Sequence, residues 1–354
     1  MFTQKLVDWY EINRRNLPWR DTEDPYLVWV SEIILQQTRV IQGLDYYRRF
    51  IHAFPDIFSL ARAGMDDVLK IWQGLGYYSR ARNMHDAAQY IINVYHGKFP
   101  STYDELVTIK GIGDYTASAI ASLAFGQAVP VIDGNVNRVI ARLFGIQQPV
   151  NKPAGQKEIR AYAEKLMLRE APGTYNQAIM EFGALQCVPK NPDCPACIFR
   201  QICVAYQKEL VDLLPAKVKT AKMAIRYFHY LHVKLDDHTF IRQRTDGDIW
   251  TGLYEFPMIE TNAATTPDEL TRTPAWHACF AGQTPHILDV SREVTHRLTH
   301  RILKIKFYEI AVTRPIGGLG VIGIQASDIY RYAVPKVIEN YLNLSKFLYL
   351  CPVE

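Results

Sequence analysis

Four cysteines within 17 residues, Cys187, Cys194, Cys197 and Cys203, place the strongest constraint on this chain, because their C-x6-C-x2-C-x5-C spacing holds four thiols in one short segment. Four thiolates in so short a stretch can converge on one site. Soft thiolates converging in this way suit an iron–sulfur cluster. A structural zinc ion is the second reading, although such sites usually pair two C-x-x-C knuckles and only Cys194–Cys197 forms one here. Unrelated core cysteines are the third, and those seldom bunch so tightly. Cys279 and Cys351 stand apart. The opening residues, MFTQKLVDWYEINRRNLPW, lack the basic-then-apolar pattern of a secretory signal. No apolar run approaches the roughly 20 residues of a membrane span. A cytoplasmic, reducing setting is therefore expected, where thiols bind metals more often than they form disulfides.

A chain of 354 residues implies two or three domains. Its 48% hydrophobic and 12% aromatic content can fill real cores and excludes a disordered polymer. Up to about residue 207 the pattern predicts helix after helix. The apolar segment Pro25 to Val40 has Asp24 as N-cap and Pro25 in its first turn. Further helices are expected at 44–54, 66–72, 79–95, 103–109, 115–125, 134–144, 156–169 and 174–186. Residues 208–224 read as a Lys- and Pro-containing linker. Beyond it the composition turns β-rich, as in the alternation of Leu303, Ile305 and Phe307 with Lys304 and Lys306. A closing helix is expected from Pro335.

The net charge of +4 is too small to bind a polyanion by bulk attraction. A nucleic acid would have to be held by local patches and backbone amides, and one segment offers such a device. In TIKGIGDYTASAIASLAF, two helices flank a tight turn with Gly111 and Gly113. Glycine permits positive φ and close approach of a backbone. The helix that follows would point free N–H groups and a positive dipole end at a phosphate. Taken alone, an ordinary tight turn explains the motif as well. Asp133, 20 residues after Gly113, reads first as an N-cap, a role compatible with chemistry. Glu32 is a lone carboxylate among Val30, Ile33, Ile34 and Leu35. It is either part of a solvated stripe with Gln36 or an acid whose apolar surroundings raise its pKa.

Hairpin, aspartate and cysteine cluster, in this order and at these distances, resemble the endonuclease III and MutY superfamily of base-excision glycosylases. S-E-I-I-L-Q-Q-T around Glu32 resembles the hallmark helix of the MutY-type adenine DNA glycosylases. That resemblance implies a helical glycosylase domain over 1–207 with one [4Fe–4S] cluster on the four cysteines. Within it, a six-helix barrel would occupy roughly 24–130, and a cluster module 1–23 and 131–207. An α+β Nudix-like domain would follow over 225–354, matched best at GDIWTGLYEFP; it lacks the Glu-rich magnesium box and so would bind, not hydrolyse.

The same resemblance implies the chemistry. Adenine is a poor leaving group, so its glycosidic bond breaks only when the base is protonated and the oxocarbenium sugar is stabilised by a carboxylate. Glu32 would protonate N7 of the flipped adenine, Asp133 would stabilise or capture the sugar, and Tyr115 and Asn135 would orient them. Bifunctional relatives carry a Schiff-base lysine where this chain has Tyr115, so β-lyase activity is not expected. Gln37, Thr38 and Tyr77 would probe the base stack and the opposite base. Trp19, Arg20, Gln177 and Glu181 would stand near the adenine pocket. His296-Arg297-Leu298-Thr299-His300 departs from the familiar H-x-F-S-H loop at Leu298 and Thr299, yet Leu298, Thr299 and His300 would contact 8-oxoguanine. The expected partner is double-stranded DNA with adenine opposite 8-oxoguanine or guanine, bound by a monomer that touches no membrane.

Overall fold

The structure is a computed structural model that describes residues 2–218, 223–245, 247–280, 282–318 and 320–350, excluding the side chains of 345–350. Cys351 and part of the expected linker lie outside the described residues. The chain forms two compact units, one of Met1–Arg62 with Asn83–Thr220, the other of Ala63–Arg82 with Ala221–Glu354. The first is helical, the second is built on a sheet, and the expected order of a helical part before an α+β part is observed. No helix among the described residues is long and apolar enough to cross a membrane.

In the first unit the helix Pro25–Leu35 buries eight of its residues, Glu32 among them, and Asp24 caps it by accepting from the Tyr26 amide. It stops before Val40, where the next helix, Val40–Ala53, begins. The apolar segment read as continuous is broken because Gln36 is extended and Gln37 takes a left-handed φ of 56°. The hairpin consists of Tyr103–Leu106 and Asp114–Leu123. Of its two glycines only Gly111 is left-handed, at φ 96°, and a Cβ there would lie 3.1 Å from the Asn83 carbonyl oxygen. Gly113 is an extended N-cap without a side-chain cap. Its space is open, so it fits close approach by a ligand better than a backbone need. The helices Phe2–Asn13, Gly134–Phe144, Pro153–Leu166 and Pro172–Leu185 share one core around Leu6, Tyr10, Ile140, Phe182 and Phe199. Cys187, Cys197 and Cys203 pack against it.

The sheet of the second unit comprises β1 (Ala224–Leu235), β2 (His238–Gln243), β3 (Tyr254–Glu255), β4 (Met258–Thr261), β5 (His286–Val290), β6 (Val294–Arg297), β7 (Arg301–Ala311) and β8 (Val321–Gln325). The main path runs β3-β2-β1-β7-β5, while β4, β6 and β8 pair with β1, β7 and β2 respectively. β1 and β7 are parallel and in register from Ala224↔Arg301 to Lys234↔Ala311. Alternation puts Leu303, Ile305 and Phe307 on one face, against the closing helix Lys336–Leu350, and Tyr308 and Ile310 on the other, with Trp276 and Phe280. Ala63–Arg82 joins this unit through specific bonds. Lys70 Nζ donates to the Tyr332 carbonyl, the Val334 amide donates to Gln73 Oε1, and Tyr254 Oη donates to Asp66.

Phe307 is 2% exposed and stacks on Tyr341 with centroids 4.1 Å apart. Phe307→Ala should lower stability by about 3–5 kcal/mol, read as a fall in the urea midpoint. An unchanged midpoint would place the helix–sheet contact outside the cooperative core.

Candidate active site

A cavity of about 620 Å³ opens in the first unit, large enough for a nucleobase. It gathers Glu32, Tyr115, Asp133, Asn135, Trp19, Arg20, Gln177, Glu181 and Thr38. Gln37, exposed and left-handed, lies outside this lining.

Glu32 stands on the inner face of its helix, 7% exposed, which removes the solvated-stripe reading. Its supposed partner Gln36 instead donates to Thr116 Oγ1. Tyr115 Oη donates to Glu32 Oε2 at 2.5 Å. Burial pushes the Glu32 carboxyl up to about 7, the charge of Asp133 adds to the rise, and the Tyr115 bond and Arg20 oppose it. Burial also raises Asp133, against the hydrogen bonds that hold its charged form. Those bonds follow from its N-cap position. Oδ1 accepts from the Val136 amide and Oδ2 from Asn135 Nδ2, both at 2.7 Å. Gly183 keeps the neighbouring helix close, since a Cβ there would lie 2.6 Å from the Asn135 Cβ.

Glu181 does not face the cavity as a free acceptor. Its Oε1 accepts from the Arg15 amide, Arg15 Nε and Arg20 Nη1, and its Oε2 from Arg15 Nη2 and Arg20 Nη2. Burial alone would raise this carboxyl; the arginine bonds overcome it and hold the pKa near 2.

Arg138 and Arg142, absent from the sequence reading, are 8% and 3% exposed. Arg138 donates to Asn135 Oδ1 at 2.9 Å, and to the Gly183 and Cys187 carbonyls at 2.6 Å. The carboxylate Asp133 is thereby braced, through Asn135 and Arg138, on the cysteine loop. Arg142 pins the same loop, donating to the Val188 and Pro189 carbonyls and to Cys187 Sγ at 3.5 Å. Only the i, i+4 spacing of these arginines on one helix face hinted at a shared role.

All four clustered thiols are free and half-buried. Among the described residues no group of three or more His, Cys, Asp and Glu is arranged to hold a metal ion. The thiols are nonetheless electrostatic neighbours. Burial raises Cys194, Cys197 and Cys203, and Cys187 adds to each rise. The Phe199 amide points at Cys197 Sγ at 3.4 Å. Four thiols on one loop, with an N–H and a guanidinium donating to sulfur, fit the donor set of an iron–sulfur cluster.

The second unit has its own cavity of about 630 Å³, lined by Tyr77, Leu298, Thr299 and His300 beside Trp250 and His296. Tyr77, left-handed at φ 49°, has its hydroxyl 2.8 Å from Thr299 Oγ1. The three predicted loop residues form the tip between β6 and β7. Leu298 packs on the sheet core, which leaves Thr299 and His300 as the exposed pair.

Helical hairpin, capped aspartate, cysteine loop and following sheet define a DNA base-excision repair protein with a Nudix-like domain. Residues 30–167 match the HhH-GPD superfamily of base excision DNA repair proteins, and residues 229–344 match the NUDIX domain. An adenine DNA glycosylase of Buchnera aphidicola subsp. Schizaphis graminum is 37% identical over 266 residues, 75% of this chain and 77% of the relative. Among solved structures, a thermostable thymine-DNA glycosylase is 29% identical with a TM-score of 0.55, covering 58% of this chain and 95% of its own. A non-covalent endonuclease III–DNA complex, 20% identical with a TM-score of 0.51 over 59% of this chain and 95% of its own, shows the same fold. The chain belongs to the adenine DNA glycosylase family, and it is a DNA-binding repair enzyme.

With Glu32 near 7, the protonated acid predominates below that pH and is lost above it. Single-turnover adenine excision should therefore fall as pH rises through about 7. Tyr115 favours the charged carboxylate, so Tyr115→Phe should move this basic limb upward. A limb that moves downward would contradict the assigned direction of the bond.

Proposed function

We propose that this chain removes adenine opposite 8-oxoguanine, and opposite guanine, by hydrolysis without strand cleavage. The observation that carries this reading is the pair of carboxylates lining one cavity, Asp133 half-buried and Glu32 buried, with burial raising Glu32 to about 7 against the opposing Tyr115 bond. Adenine flipped into the cavity would take its proton from Glu32 at N7, giving a neutral leaving group. Asp133, whose carboxylate accepts from the Val136 amide and Asn135, stabilises or briefly captures the oxocarbenium sugar. Water then completes the hydrolysis. No lysine lines the cavity among the described residues, in keeping with a monofunctional enzyme.

Around this centre, Gly111 and Gly113 are assigned to the DNA backbone, Gln37 to the stack beside the lesion and Thr38 to the opposite base. The left-handed Gln37 is the kind of backbone strain that collects at functional sites. Tyr77, Leu298, Thr299 and His300 are assigned to the 8-oxoguanine side, the last two making the contacts and Leu298 supporting them. Cys187, Cys194, Cys197 and Cys203 would hold one [4Fe–4S] cluster. Such a cluster cross-links its loop and takes no part in bond cleavage. The protein is assigned as a monomer.

Duplexes with adenine opposite 8-oxoguanine should break only after alkali, whereas thymine glycol opposite adenine should be left intact. Breaks without alkali would overturn the monofunctional assignment. Glu32→Gln should keep DNA binding and lose about 10²–10⁴-fold in excision rate; undiminished excision refutes the acid. The purified protein should be brown and contain iron, while a colourless protein with stoichiometric zinc would reverse the cofactor assignment.

A further inference from the structure

One wall of the first-unit cavity has its hydrogen-bonding direction set from behind. Tyr10, on the helix Phe2–Asn13, is 1% exposed, and its hydroxyl lies 2.5 Å from Gln177 Oε1. Two guanidinium groups flank this phenol, Arg14 and Arg20, at 5.9 and 5.5 Å from the ring centroid. An amide oxygen can only accept, so the phenol gives its hydrogen to Gln177. Only the amide oxygen can receive that hydrogen. Gln177 Nε2 makes no hydrogen bond among the described residues, and Gln177 lines the cavity.

The neighbouring acceptor is consumed in the same way. Five N–H donors of Arg15 and Arg20 share the two Glu181 oxygens. Gln177 and Glu181 thus bring two acceptor-bearing side chains to the wall, and both have their acceptors engaged elsewhere.

We infer that Tyr10 is a positioning residue that locks the Gln177 amide with its N–H toward the base, so that this wall selects a purine whose facing ring nitrogen is an acceptor. Adenine N1 is such an acceptor; the N1–H of hypoxanthine or guanine is a second donor and is repelled. This rests on the cavity being the base pocket, as proposed above. Without the phenol the amide can turn over and offer its oxygen, which accepts from N1–H.

The test compares single-turnover excision of adenine and of hypoxanthine, each opposite 8-oxoguanine, by the full-length wild type and by Tyr10→Phe. Each base's leaving-group chemistry cancels when the adenine-to-hypoxanthine rate ratio is compared between proteins. Tyr10→Phe should lower that ratio about tenfold, the effect of one hydrogen bond gained or lost. Gln177→Glu, which offers an oxygen in either orientation, should lower it in the same direction and serves if Tyr10→Phe fails to fold. Equal loss on both bases, with the ratio unchanged, would show that Tyr10 only packs and would overturn the inference. Failure of the base-pocket reading would show separately, as full excision by Glu32→Gln.

Discussion

Two carboxylates lining one cavity, Glu32 buried and Asp133 half-buried, are the constraint around which the site of the helical unit is arranged. Water would ionise both and leave neither able to give a proton. Burial puts Glu32 near 7, while two donors aimed at Asp133 oppose the same push there. The two side chains are chemically alike and their surroundings divide them, one toward an acid and one toward an anion. Each sits where its helix makes that division easy. Glu32 lies mid-helix, where the backbone offers no free N–H, and Asp133 lies at an N-cap, where it does.

A layer of arginines, Arg138 and Arg142 buried and Arg15 and Arg20 half-buried, braces this arrangement. Arg15 and Arg20 saturate Glu181, Arg138 braces Asn135, and Arg142 ties down the loop that carries the cysteines. A guanidinium suits these posts because its planar fork serves several acceptors at once and keeps its charge at any working pH. Most of these acceptors are backbone carbonyls or carboxylates, so the positive charge is met locally, even where Arg15, Arg20 and Arg138 line the cavity.

Much of the fold was legible because it is written in period and punctuation. The helix Pro25–Leu35 carries its cap and proline in the sequence, and β7 carries its alternation. The break after Leu35 was not legible, since Gln36-Gln37 holds no glycine or proline and turns by adopting an unfavourable φ. The carboxylates, Tyr115 and Asn135 were visible as residue types at telling distances, and the structure brings them to one cavity. Tyr10, Arg138 and Arg142 were not visible, because an aromatic in an amphipathic helix and arginines on a helix read as packing and solvated charge. Their partners lie far along the chain; Tyr10 and Gln177 are separated by 167 residues. Glu181, expected near the adenine pocket, lines the cavity, and its partner Arg15 was hidden for the same reason.

The placement of Ala63–Arg82 with the sheet has a consequence for synthesis. This stretch leaves the ribosome early, yet the carbonyl that receives Lys70 lies 262 residues further on. The chain passes through the helical unit, into the future sheet unit and back before the sheet exists. Closing contacts of such separation is slow, and its entropic cost falls before any contact repays it. During that interval Leu69, buried in the finished protein, lacks its later neighbour Gly252. Maturation of this unit therefore waits on the end of the chain, because Lys70 and Gln73 find their partners only at Tyr332 and Val334.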